Sequence, residues 1–241
     1  MLHAACLCND GAMHSIADFI ATHTDQDRPD AGPFEVENRA TLQINLQGTV
    51  YAKAGAMVAY RGDVKFSRKG TLEDGVGKFL KKAVTGEGMT LMKIEGNGRV
   101  WLADRNKRVH VLRLDGESLC VNGNDLLALQ SALDWDIVML KSVAGALAGG
   151  LFNVQIAGRG LAAITTHGDP LVLPVTRTRP VNTDPQATVA WSGNLTPDIH
   201  TDISLGTLVG RGSGESVQMR FKGDGWVMVQ PYEEGPALAS R

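Results

Sequence analysis

Apolar and polar positions alternate along this chain in four stretches built on one template: an alternating run, a glycine, then a second alternating run. They read Leu42-Gln-Ile-Asn-Leu-Gln-Gly48-Thr-Val-Tyr-Ala, Met89-Thr-Leu-Met-Lys-Ile-Glu-Gly96-Asn-Gly98-Arg-Val-Trp-Leu-Ala, Phe152-Asn-Val-Gln-Ile-Ala-Gly158-Arg-Gly160-Leu-Ala-Ala-Ile and Ser216-Val-Gln-Met-Arg-Phe-Lys-Gly223-Asp-Gly225-Trp-Val-Met-Val. Period-two alternation sends every second side chain to one face of a strand, and glycine supplies the positive φ that a tight hairpin needs. The pattern predicts an all-β fold of pseudo-symmetric, repeated β-hairpins. One hairpin cannot bury its own apolar face, so the copies are expected to stack into a β-sandwich or a short double-stranded β-helix.

A second echo supports internal multiplication. Met57-Val-Ala-Tyr-Arg-Gly-Asp63, Leu119-Cys-Val-Asn-Gly-Asn124 and Thr188-Val-Ala-Trp-Ser-Gly-Asn194 each close on a glycine followed by Asp or Asn, which predicts a turn in each. Further turns are expected at Gly48, Gly55, Arg61-Gly62-Asp63 and Asp115-Gly116. Pro170 and Pro174 place the strand Leu171 to Val175 at a sheet edge, because proline cannot donate to a ladder. Helical spacing is confined to short pieces. Met13, Ile16, Ala17, Phe19 and Ile20 predict one short amphipathic helix, and Val76, Phe79, Leu80 and Ala83 a second. Leu126, Leu127 and Leu129 fit a helical turn capped by Asn124 or Asp125.

These elements divide the chain into an N-terminal extension and linker (1–33), a repeated β domain (34–235) and a C-terminal tail (236–241). The linker is read from the breaker-rich run Thr24 to Pro33. The 28 glycines lie at turns and form no low-complexity tract, which suits many short strands. The net charge of −2 gives no general attraction to polyanions, and three cysteines, Cys6, Cys8 and Cys120, form no disulfide framework. A reducing, cytoplasmic setting is expected, since the start lacks the basic and long apolar regions of a secretory signal. The most apolar segment, Ile137 to Phe152, is shorter than the ~20 residues needed to cross a bilayer.

Candidate chemistry is sparse. Cys6 and Cys8 with His3 and His14 have zinc-type donors but match no standard finger spacing, so no metal site is assigned. Gly75-Val-Gly-Lys-Phe fails as a phosphate loop, with Leu72 at the first glycine and Phe79 at the hydroxyl position. Gly206 to Gly214, around Arg211, reads as an approach to the last hairpin before it reads as an anion nest. His110, His167 and His200 are scattered. Asp134 and Asp136 around Trp135 read as a turn, with a binding rim as the other option. Trp101, Trp191 and Trp226 fall in strand registers and read as core or interface. No nucleophile elbow or zinc-protease helix occurs, so no catalytic residue and no cofactor is expected.

Two surfaces carry more weight. Lys65, Arg68, Lys69, Lys78, Lys81 and Lys82 concentrate positive charge, which suits an anion or an acidic partner, against the plainer reading of a solvated helix face. With 5% aromatic residues no stacking array is evident, which disfavours nucleic acid. The apolar segment offers Val138, Met139, Leu140, Val143, Leu147, Leu151 and Phe152 as an oligomer interface or a membrane-surface contact. Burial beneath the chain's own sheet is the equal alternative.

Ala54-Gly-Ala-Met-Val-Ala-Tyr60, Gly75-Val-Gly-Lys-Phe-Leu-Lys-Lys82, Thr85-Gly-Glu-Gly-Met89 and Gly96-Asn-Gly-Arg-Val-Trp-Leu-Ala103 together resemble the altered-inheritance-of-mitochondria family number twenty-four over about residues 34–231. The resemblance implies a triplicated relative of the tryptophan-RNA-binding-attenuator fold, whose related proteins build rings or trimers. It also implies an association with the mitochondrial inner membrane in eukaryotic members, and it transfers no catalytic residue. Residues 1–33 lie outside it. The expectation is a non-enzymatic, oligomeric scaffold or interaction protein, a trimer by resemblance, with a protein partner and peripheral membrane contact as further possibilities. The alternative is a small-ligand-binding protein or enzyme whose site is assembled from distant residues.

Overall fold

A computed structural model describes residues 15–25, 32–68, 91–139, 152–201 and 217–233. The chain divides into two compact units, Met1–Ala31 and Gly32–Arg241. In the first, the helix α1 spans Ile16–His23, as the spacing of Ile16, Phe19 and Ile20 predicts. Ser15 caps it by accepting from the Asp18 amide at 3.1 Å, satisfying one of the free N–H groups of the first turn. The second predicted helix, around Val76 to Ala83, lies outside the described residues.

Among the described residues the second unit holds strands and the turns between them, and no helix. β1 (Phe34–Asn38), β2 (Thr41–Lys53), β3 (Met57–Arg68) and β4 (Leu91–Leu102) are followed by β5 (Arg108–Asn122), β6 (Leu126–Gln130), β7 (Asp134–Met139) and β8 (Phe152–Thr166). Then come β9 (Leu171–Val175), β10 (Val181–Thr183), β11 (Thr188–Ser192), β12 (Asp198–Thr201), β13 (Val217–Phe221) and β14 (Gly225–Val229). The large antiparallel sheet runs β3-β4-β2-β6-β8-β5-β11-β14-β9, with β1 added to β2 and β7 to β8; β10-β13-β12 form a small one. The sheets are not closed into a barrel.

The repeated glycines do a different job from the one their spacing predicts. Gly48, Gly96, Gly98, Gly158 and Gly160 are not hairpin turns; they lie inside β2, β4 and β8. Gly62 likewise lies inside β3, and Gly116 sits in β5, where the register shifts between Asp115 and Ser118. Positive φ lets a strand fold sharply without ending, at 96° for Gly48, 102° for Gly62 and 126° for Gly96. The bends line up across neighbours, since Gly48 pairs with Gly96 and Gly62 with Gly98. In β3 the rings of Tyr60 and Phe66 meet at 5.3 Å, although six residues of straight strand span ~20 Å. Folding a sheet over its own face in this way makes a β-sandwich. Leu42, Ile44 and Leu46 before the bend share one core with Val50 and Ala52 after it.

Three buried clusters succeed one another along the chain. The first is built on β1 to β4, the second on Leu114, Val121, Leu129, Ile156 and Ile164, and the third on Trp191, Met219, Phe221 and Val227. The third contains the last glycine template, but there Gly223 joins β13 to β14, which belong to different sheets, so that expected hairpin is also absent.

Two smaller expectations are corrected. Leu126–Gln130 is β6 rather than a helical turn, because it lies between β2 and β8 with Leu126 to Leu129 all buried, leaving no polar face to reveal its period. Asp134-Trp135-Asp136 opens β7 rather than forming a turn. Turns do occur at Gly55, at Gly123 and at Gly193. β9 pairs only with β14 among the described strands, an edge position as its prolines predict.

Candidate interaction surface

The large sheet ends on two strands that carry large apolar side chains in water. At one end β3 pairs, among the described strands, with β4 alone, and Met57, Val58 and Tyr60 are 38%, 59% and 52% exposed. Residues directly opposite each other in a ladder point to the same face. Tyr60 lies opposite buried Val100 and Phe66 opposite buried Ile94, so both sit on the core side at its rim. Arg61, Asp63 and Lys65 point to the other face, opposite Arg99, Asn97 and Glu95. The Arg61 guanidinium lies 5.7 Å over the Trp101 ring, which gives that exposed face a cation–π contact.

At the other end, Leu171 and Val172 of β9 are 58% and 48% exposed. That strand is guarded by Pro170 and Pro174, which remove two backbone donors from its edge. β3 has no proline along its length. Both edges thus expose apolar side chains, but they are unequally protected against pairing.

Lys65 is exposed on β3, and Arg68 ends that strand. Lys69, Lys78, Lys81 and Lys82, the greater part of the expected basic patch, lie outside the described residues. In the apolar segment, Ile137 pairs with Val154, Val138 with Asn153 and Met139 with Phe152. Its two ends are thus paired to each other within the chain, and Val138 and Phe152 are half-buried. Leu140, Val143, Leu147 and Leu151 lie outside the described residues, as do Cys6, Cys8, His3, His14, the Gly75 to Phe79 run and Gly206 to Gly214. Trp191 is core: its ring packs 5.5 Å from that of Phe221, and its Nε1 donates to the Leu195 carbonyl at 3.2 Å. Trp101 and Trp226 are half-buried.

The reactive side chains are placed for structure. Burial pushes the Cys120 thiol up to about 11, which keeps it protonated and unreactive. His110 Nε2 lies 2.8 Å from Thr166 Oγ1, whose own proton goes to the Gly168 carbonyl. The hydroxyl oxygen can therefore only accept, which places a proton on Nε2 of the imidazole. The rings of His167 and Tyr232 meet tilted, 4.0 Å apart, and His200 is exposed on β12. No group of three or more metal-type donors occurs among the described residues.

A buried polar network went unseen in the sequence. Lys107 Nζ lies 2.9 Å from Asp125 Oδ1 and 3.3 Å from the Asn124 carbonyl, and both charged side chains are buried. Lys53 Nζ reaches Asp104 Oδ2 at 2.7 Å and the same Asn124 carbonyl at 2.8 Å. Two lysines and two aspartates thus pin β2, the β4–β5 turn and the β5–β6 turn together. Its members come from positions 53 to 125, a separation that gives no local signal.

The fold and the alignment find relatives. An uncharacterised protein of Streptococcus pyogenes serotype M6 is 28% identical over 206 residues, covering 78% of this chain and 80% of its own. A crystal structure of a Streptococcus pyogenes protein, from a structural genomics programme, superposes with a TM-score of 0.64 at 23% identity, covering 83% of this chain and 92% of that one. The family model for mitochondrial biogenesis AIM24 matches residues 34–232, the whole bent-strand sandwich from β1 to just beyond β14. On that match, the chain belongs to the mitochondrial biogenesis AIM24 family.

Proposed function

We propose that the protein is a non-enzymatic scaffold that works by self-association. The observation that carries this reading is the pair of sheet edges with large apolar side chains in water, Met57, Val58 and Tyr60 at one end and Leu171 and Val172 at the other. Exposed apolar surface on a strand edge is costly for a solitary molecule and is relieved by contact with another. The run between β7 and β8 is apolar in sequence and suits the same kind of contact. Copies of this chain, and through them a protein partner, are the ligands these surfaces suit. Among the described residues no helix is long and apolar enough to cross a membrane.

The test is the mass of the full chain in solution across micromolar to about 100 µM concentration, where stable protein contacts populate. An oligomer is expected, and Leu140→Asp with Leu147→Asp should shift it towards monomer with the β signal retained. A wild-type chain that stays monomeric throughout overturns the reading.

A further inference from the structure

We propose that β3 is a self-complementary docking strand, through which two copies of this chain pair antiparallel about a two-fold axis at Gly62. The proposal rests on the self-association reading and goes beyond it by naming the strand, the register and the contacts.

Two observations fix the register. The first is the bend. β3 folds at Gly62, and inside the sheet bent strands pair with their glycines aligned, Gly62 against Gly98 and Gly48 against Gly96. A second β3 keeps that alignment when its own Gly62 lies opposite the first.

The second is charge. A two-fold axis perpendicular to the sheet keeps the core face of both copies on one side, so the only permitted registers shift by two in the sum of paired positions. Centred on Gly62, Arg61 of each copy faces Asp63 of the other, giving two opposite-charge pairs on the outer face. On the core face, Tyr60 meets Val64 and Val58 meets Phe66. Centring on Arg61 instead sets the two guanidiniums against each other. Centring on Asp63 sets the carboxylates together and Arg61 against Lys65. Like charges directly opposite are destabilising in a sheet. The charges leave two registers, that centred on Gly62 and that centred on Val64, where Asp63 would face Lys65; aligned bends choose Gly62, and that register covers Tyr60, Val58 and the edge of β3, unpaired among the described strands, with an equivalent strand.

The experiment exploits the reciprocal charges in the full chain. Arg61→Asp alone places two carboxylate pairs across the axis, and Asp63→Arg alone places two guanidinium pairs there. Each should raise the dimer dissociation constant at least about tenfold. Mixing the two single variants creates Asp–Arg pairs at both positions, so a heterodimer should form where neither variant pairs with itself. The double variant, Arg61→Asp with Asp63→Arg, should pair again with itself. Circular dichroism checks folding, and if Arg61→Asp unfolds the chain through loss of its contact with Trp101, Asp63→Arg carries the test alone. A wild-type oligomer undiminished by either exchange overturns the β3 contact and leaves self-association standing. A wild-type monomer at about 100 µM overturns both. Loss in the single variants with no recovery on mixing or in the double variant overturns the register.

Discussion

The first and last clusters of the sandwich contain the same glycine-centred template and use it in different ways. In β2, β3 and β4 the chain bends at glycine and continues as one strand, because neighbouring strands bend at the same level. In the last cluster the template breaks at Gly223, φ 120°, into β13 and β14, which join different sheets. Crowding separates the two cases. A Cβ on Gly96 would fall on the Asp63 carbonyl of the neighbouring strand, whereas at Gly223 the nearest atom is Leu195 Cδ2 at 3.0 Å, the end of a side chain that can turn away. Where β3 and β4 share their corner, at Gly62, Gly96 and Gly98, backbone lies against backbone, whereas Gly48 bends with open space at its Cβ position.

The sharpest test sets these two glycines side by side. Gly96→Ala combines a disfavoured positive φ with an immovable backbone clash, for an expected loss of about 4 kcal/mol in denaturant unfolding. Gly223→Ala meets the φ penalty and a yielding side chain, for about 1–2 kcal/mol. Equal losses would break the comparison, since they would show that conformation alone and not aligned bending distinguishes the clusters.

The joints that hold the two regions to the centre differ as well. The first is tied by the buried pair of Lys107 and Asp125, while the last is tied to β5 by a neutral bond, Asn122 Nδ2 donating to the Thr188 carbonyl at 3.3 Å. Removing one member of a buried ion pair leaves the other charge desolvated without compensation. Lys107→Met should accordingly cost about 3 kcal/mol or more, and Lys107→Met with Asp125→Leu distinctly less than the two single changes summed. Asn122→Ala should cost about 1–2 kcal/mol by the same measurement.

Much of this sandwich is readable from alternation, and the failures have physical causes. Leu42, Ile44, Leu46, Val50 and Ala52 declare one buried face, and they share one core. The glycine between them declares only a positive φ. A hairpin turn and a bent continuous strand both need one, and the choice is made by pairing partners that local sequence does not name. β6 mimics a helical turn because burial on both faces erases period two and leaves three leucines at a spacing that also fits a helix. The candidate surface is legible only in part. Lys65 was singled out for its charge, whereas Met57, Val58 and Tyr60 look like ordinary strand residues until the sheet order places them on an edge.

The smallest effect expected lies on β5, the strand between the two regions. Burial, and secondarily the Arg108 guanidinium, hold the His110 imidazole below its ordinary 6.5. Between that lowered value and 6.5 the unfolded chain binds more protons than the folded one, so stability rises with pH across this window. The contribution of His110 is complete above 6.5 and is lost as pH falls through its folded value. His110→Gln keeps an N–H donor for Thr166 and removes the titration. Denaturant midpoints measured from about pH 7.5 to pH 5 should therefore fall more steeply for the wild type than for the variant, the difference between the curves isolating His110 from other titrating groups. Parallel curves would show that the half-buried ring is as readily protonated in the fold as in the unfolded chain.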